Sequence, residues 1–281
     1  MRRYYGVEFL RLITSVSVIL YHYRLFFKPY NIYSPIHFSE DKIQLPFYSI
    51  LEVFYNYGIY GVHVFYAISG FVFAHVYLSI NNKISSKEFF INRLARLYPL
   101  HLATLIIVTI ILFTNLFING SFIINAFQYN DIYHFFLQIF FVSAWGFADG
   151  HSFNSPIWSV SIEIGIYIIF YLLLVFIKKF KIWFIISLCI FLLLINKIAL
   201  YNSLFLECAR LFFSGVLIYF INIRIKFNIL LLFFSLLLII FSFVGNFKTF
   251  LFCPSLLLFF ILLEDYIKND KLKYLFGHAG N

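Results

Sequence analysis

The sequence predicts an all-α, polytopic integral membrane helical bundle, and three observations carry that prediction. Of its 281 residues 63% are hydrophobic and only 12% charged, with a mean hydropathy of +0.91. Apolar runs of membrane-crossing length recur along the whole chain, and the basic residues between them sort to alternate loops. Water-soluble domains average about 45–50% apolar and about 25% charged residues, so the excess here makes lipid the solvent for most of the surface. The net charge of +9 does not point to nucleic acid, because the basic residues are scattered between apolar runs and form no continuous patch.

Crossing a bilayer takes about 17–25 apolar residues. Runs of that order cover 7–27, 55–80, 97–115, 157–177, 182–200, 204–222, 227–245 and, slightly short, 249–264, which predicts eight spans. The first run lacks a small-residue cleavage site and is interrupted by Arg11, so it is expected to stay as a span. With the N-terminus in the cytoplasm, 14 of the 21 basic residues fall on inner loops, among them Arg2, Arg3, Arg93, Arg96 and the "KKFK" stretch at 178–181. A further crossing at 132–146 would place "KKFK" outside, against the positive-inside rule. That shorter run is therefore read as re-entrant or interfacial. Two polar stretches, 28–46 and 116–131, are expected to be external loops. Cys189, Cys208 and Cys253 lie in apolar stretches without the close spacing of a metal site or disulfide pair, and read as core.

Polar residues inside the predicted spans carry the chemical information. In "EFLRLITSVSVILYHY" (residues 8–23), Arg11 and His22 are 11 residues apart, three helical turns and about 20°, so they share one face and stand about 16 Å apart along it. Glu8 and Ser15 extend the same stripe. One reading makes Glu8 and Arg11 an ion pair at the inner end with His22 at the opposite interface. The other makes the stripe the wall of a functional cavity, where intramembrane ionisable groups are generally found.

Four other clusters follow. "GVHVFYAISGFVFAHVY" (61–77) carries His63 and His75 on different faces, together with Ser69 and Gly70, small residues suited to close helix contact. "EFFINRLARLYPLHL" (88–102) places Arg93 and Arg96 one turn apart at the inner mouth of a span, either as a positive-inside anchor or as a clamp for phosphates. "NSPIWSVSIEIGIYIIFYLL" (154–173) sets Glu163 inside a span, where a lone charge costs about 2.5–3.5 kcal/mol on insertion scales, with Tyr167 beneath it on the same face. Asn154, Ser155 and Pro156 are expected to form the turn and cap that start that helix. "LECARLFFSGVLIYF" (206–220) holds Glu207 and Arg210 three apart, to neutralise one another or to let Arg210 partner Glu163.

These clusters, in this order, resemble acyltransferase family 3, membrane enzymes that O-acetylate surface polysaccharides. The resemblance rests on Arg11 followed by His22, on "GVHVFYAISGF", on Arg93-Leu-Ala-Arg96 running into "LYPLHL", and on "PIWSVSIEIGIYI". It implies about eight to ten spans in a single transmembrane acyltransferase domain over residues 1–281 of a cell (inner or plasma) membrane. It also implies a cytoplasmic acyl-CoA donor, usually acetyl-CoA, and a carbohydrate hydroxyl as acceptor. By that likeness His22 and Arg11 are the essential pair, Arg93 and Arg96 the cytoplasmic arginine motif and Glu163 the span carboxylate. His63 departs from the pattern, standing where the family often has an acidic or small polar residue. The chain also ends at "LKYLFGHAGN", where the family usually continues for one or two more spans, so a shortened C-terminus is expected.

The chemistry suits these residues. Imidazole titrates near neutrality and can take a hydroxyl proton or carry the acyl group. Glu163 can orient the imidazole or hold its proton, Arg11 can stabilise developing charge or bind the donor, and the arginine pair can grip the phosphates of CoA. The competing expectation is a transporter or flippase of a lipid-linked sugar that uses the same intramembrane charges.

Overall fold

The structure, a computed structural model, describes residues 2–23, 45–79, 85–120, 129–198, 203–224, 229–244 and 249–266. Most of the expected external loop 28–46, residues 121–128 of the second loop and the C-terminal "LKYLFGHAGN" lie outside them. All regular structure among the described residues is helical: α1 (Tyr5–Tyr23), α2 (Tyr48–Tyr57), α3 (Tyr60–Leu78), α4 (Ser86–Asn119), α5 (Ile132–Ile139), α6 (Trp158–Ile198), α7 (Leu204–Arg224), α8 (Ile229–Ser242) and α9 (Thr249–Tyr266). Five of these, α3, α4, α6, α7 and α9, are long and apolar enough to cross a membrane. The 19-residue α1 has the length but carries the polar stripe of Glu8, Arg11 and His22.

Some expected boundaries shift and others hold. The run at 55–80 is broken at Gly58, where α2 ends and α3 starts. Among the described residues, the run at 227–245 holds the 14-residue α8, about 21 Å of helix against a hydrocarbon core of about 30 Å. The runs at 157–177 and 182–200 lie in one helical stretch, α6, broken at Lys181 (φ 53°, ψ −132°). Phe176 and Phe184 stack with ring centroids 5.9 Å apart. Eight residues of straight helix would separate them by about 12 Å, so the chain turns back at "KKFK". The segment at 132–146 holds only the eight-residue α5, about 12 Å long and too short to cross.

The described chain divides into two compact units, one of residues 1–25, 46–79 and 172–281, the other of residues 26–45 and 80–171. In the first, α3 and α7 pack so closely that a Cβ on Gly70 would lie 1.8 Å from the Phe212 carbonyl oxygen, and one on Gly215 would lie 1.9 Å from that of Ala67. Close backbone approach through small residues is how membrane helices gain contact when both are apolar. Apolar rings fill the seam, with Phe73 edge-on to Phe212 at 5.6 Å.

Two polar poles close this unit. At one, Arg2 pairs with Asp265 and Glu264, the buried Glu264 accepts the Gly6 N–H at 2.9 Å, and His75 donates to the Arg2 carbonyl at 2.9 Å. At the other, Gly58 sits against the Ser17 carbonyl and Tyr21 of α1, while His63 of α3 meets Glu207 of α7 at 3.5 Å and Thr249 of α9 donates to Glu207 at 2.8 Å. The starts of α3, α7 and α9 therefore share the end of the unit where α1 finishes, so these three run parallel to each other and antiparallel to α1. An additional crossing at 132–146 would reverse α7 and α9 against α3, so this arrangement agrees with a segment that does not cross.

In the second unit Leu105 and Leu112 of α4 pack with Phe153, while much of the rest of α4, including Ile107, Ile110 and Phe117, is exposed apolar surface suited to lipid. Asp131 caps α5, accepting from the His134 N–H at 2.9 Å and from its ring Nδ1 at 2.9 Å. These donors hold the Asp131 carboxyl below its ordinary value.

Candidate active site

His22 lies at the end of α1, half-buried, with Nδ1 2.8 Å from the Val18 carbonyl of its own helix. A carbonyl only accepts, so Nδ1 carries the hydrogen and the neutral imidazole presents the lone pair of Nε2. The Tyr21 ring meets it edge-on at 5.3 Å. Arg11 is on the same helix, half-buried, with Ser15 donating to its carbonyl at 2.8 Å. Of the two readings of this stripe, the Glu8–Arg11 ion pair is not the arrangement at Glu8, whose Oε1 takes Arg3 Nε at 2.8 Å; Arg3 precedes the helix and folds onto it.

The second unit holds the other three expected residues. Arg93 and Arg96 stand in the early turns of α4, which begins at Ser86. Arg96 is exposed. Arg93 places its guanidinium 6.0 Å from the Tyr167 ring centroid, in cation–π range. The Tyr167 hydroxyl in turn donates to Glu163. Three residues picked out in sequence thus form one connected line, Arg93 over Tyr167 and Tyr167 on Glu163, in which the tyrosine ring carries a cation on its face and a carboxylate on its hydroxyl.

The turn before α6 departs from expectation in one detail. Ser155–Ile157 do form a short 3-10 turn, but Asn154 makes no cap and donates to Thr104 at 2.9 Å. Nearby polar groups fasten the same loop: Gln138 donates to Ser152 Oγ at 3.1 Å, His101 donates to the Gln138 carbonyl at 2.9 Å, and Ser161 donates to the Phe141 carbonyl at 2.7 Å. Ser161 is thus spent on holding the chain at 141.

Glu207 and Arg210 do not neutralise one another. The carboxylate turns to His63 and Thr249, and the Arg210 Nε is buried with no hydrogen-bond partner among the described residues. The His63–Glu207 juxtaposition was missed in sequence, although a signal existed. Each is the fourth residue of its helix, so once those helices run parallel both stand at one depth.

A bundle of apolar helices with ionisable groups inside them defines a multi-pass membrane protein. Residues 4–276 match the family model described as an acyltransferase domain, so the chain belongs to acyltransferase family 3. It is a membrane acyltransferase. No curated protein and no solved structure matches the chain.

Proposed function

We propose that the enzyme moves an acyl group, most simply acetyl, from cytoplasmic acyl-CoA to a hydroxyl of a cell-surface or lipid-linked polysaccharide. It would do so in the cell (inner or plasma) membrane with its N-terminus in the cytoplasm. The observation that carries this reading is His22, whose Nδ1 is committed to the Val18 carbonyl at 2.8 Å, leaving Nε2 as a fixed proton acceptor. The acceptor oxygen attacks the thioester carbonyl, the carbon–sulfur bond breaks as the ester carbon–oxygen bond forms, and the hydroxyl proton passes by way of Nε2 to the departing thiolate.

Arg11 stands about 16 Å along α1 from His22, so the two do not serve the same atom. Arg11 is therefore assigned to the donor, deeper in the membrane. Arg93 and Arg96 are assigned to the CoA phosphates, for which guanidinium forks are suited. Glu163, through the Tyr167 hydroxyl, steadies the ring beneath Arg93.

The test is His22→Ala, expressed at parental membrane level. Acylation of the polysaccharide should fall about 10²–10⁴-fold, the usual worth of one positioned general base. Parental acylation by the variant would remove His22 from the chemistry.

A further inference from the structure

We propose that Glu207 and Arg210 of α7 form a subsite for the acceptor, a saccharide presenting neighbouring hydroxyls, at the end of the first unit that carries His22. The inference rests on the acyl-transfer reading above and adds to it the residues that recognise the sugar.

Arg210 lies inside a membrane-crossing helix. Its Nε is buried without a hydrogen-bond partner, and among the described residues no carboxylate stands within ion-pairing distance. An arginine inside a span whose Nε is buried and unpartnered is a costly feature, which marks a ligand path more often than a packing choice. One turn earlier, Glu207 uses a single oxygen, Oε1, for both Thr249 at 2.8 Å and His63 at 3.5 Å. Its side chain is 28% exposed, and neither contact uses its second oxygen.

The charges select the ligand class. An anion would meet Glu207 and a cation would meet Arg210, each at a desolvated and unfavourable distance. A neutral hydroxyl pair satisfies both, one hydroxyl donating to the carboxylate and its neighbour accepting from the guanidinium. Tyr60, whose ring lies 5.7 Å from that of His63 and stacks on Tyr57 at 6.3 Å, provides an aromatic surface beside the pair. The place is also apt. α1 reaches the start of α3 through Ser17 and Tyr21 at Gly58, and α3 reaches Glu207 through His63, so a sugar held by α7 enters at the end where His22 takes the proton.

The experiment uses the full-length protein in lipid nanodiscs. Acetyl-CoA is the donor, and the acceptor is surface polysaccharide from the encoding cell, stripped of esters by mild alkali. Arg210→Leu and Glu207→Gln should each raise the KM for polysaccharide about 10-fold or more, the loss expected of a hydrogen bond to a charged group. The KM for acetyl-CoA should stay at the parental value.

A merely structural Arg210 predicts the opposite. Removing an unpartnered cation would raise Tm and leave the polysaccharide KM unchanged, and that outcome overturns the subsite. So does a donor KM that rises in proportion to the acceptor KM. If Arg210→Leu fails to insert, Arg210→Lys keeps the charge but loses the planar fork, and a parental polysaccharide KM for it again overturns the proposal. A parent protein that transfers no acetyl to polysaccharide overturns the acyl-transfer reading and the subsite with it, whereas an active parent with unaltered variants overturns the subsite alone.

Discussion

Tyr167 shows how one side chain can tie two expected functional residues together. Its ring lies under Arg93 at 6.0 Å and its hydroxyl is bonded to Glu163, which allows the two contacts to be separated by substitution. Tyr167→Phe keeps the ring and loses the bond to Glu163, whereas Tyr167→Leu loses both. If Arg93 binds the donor from its seat on the ring, acetyl-CoA affinity should fall only slightly in Tyr167→Phe and by about 2- to 5-fold in Tyr167→Leu, as expected for an exposed cation–π contact of about 0.5–1 kcal/mol. Replacing Arg93 and Arg96 together with Gln should weaken donor binding much further while insertion is retained. Equilibrium binding of labelled acetyl-CoA to the four proteins checks this, and a double variant that binds as the parent does would return the arginines to an anchoring role.

In the first unit α3 and α7 meet through close backbone approach, with apolar rings packed around it. Gly70 and Gly215 lie on opposite sides of the α3–α7 seam, each against a carbonyl oxygen of the other helix. Gly70→Val must therefore push the helices apart, at a cost of about 3 kcal/mol or more. Thermal unfolding in detergent should show a lowered Tm, and one equal to the parent's would refute this account of the seam. The α5 cap responds to acid instead. The His134 N–H depresses the Asp131 carboxyl, so the cap's contribution is present above the unfolded value and is lost as pH falls through the lower folded one. Amide-exchange protection over residues 132–139, measured against the intrinsic rate at each pH, should fall below about pH 4, and Asp131→Asn, which still accepts a hydrogen bond, should remove that acid dependence.

Across the whole molecule, the direction of the helices constrains which loops share a side of the membrane. With α3, α7 and α9 parallel and α1 opposed to them, the turn at "KKFK" belongs on the same side as Arg2 and Arg224. Lys179→Cys should therefore stay unlabelled by an impermeant thiol reagent in intact cells and react once the cells are opened. Labelling from outside would invert the proposed orientation. The same arrangement places His22 and the start of α7 together at the opposite end, so in the proposed orientation a cytoplasmic donor would have to deliver its acyl group along the bundle to reach them.

The sequence by itself determined the fold class, because composition and the recurrence of apolar runs depend only on the solvent the chain must satisfy. It also determined relations within one helix: Arg11 with His22 on one face, Arg93 one turn from Arg96, and Glu163 above Tyr167, since helical periodicity alone places residues three, four or eleven apart. Partners on different helices were beyond its reach. Glu207 looked equally suited to Arg210 three residues away, and only the packing of α7 against α3 and α9 brought His63 and Thr249 to it and left the Arg210 Nε without a hydrogen-bond partner among the described residues. Helix ends escaped in part, for a related reason. The reversal at Lys181 falls on the charged "KKFK" stretch that the sequence itself set between two spans, but the break at Gly58 lies inside a predominantly apolar run, where lipid accepts every residue alike and tertiary contact decides where the backbone turns.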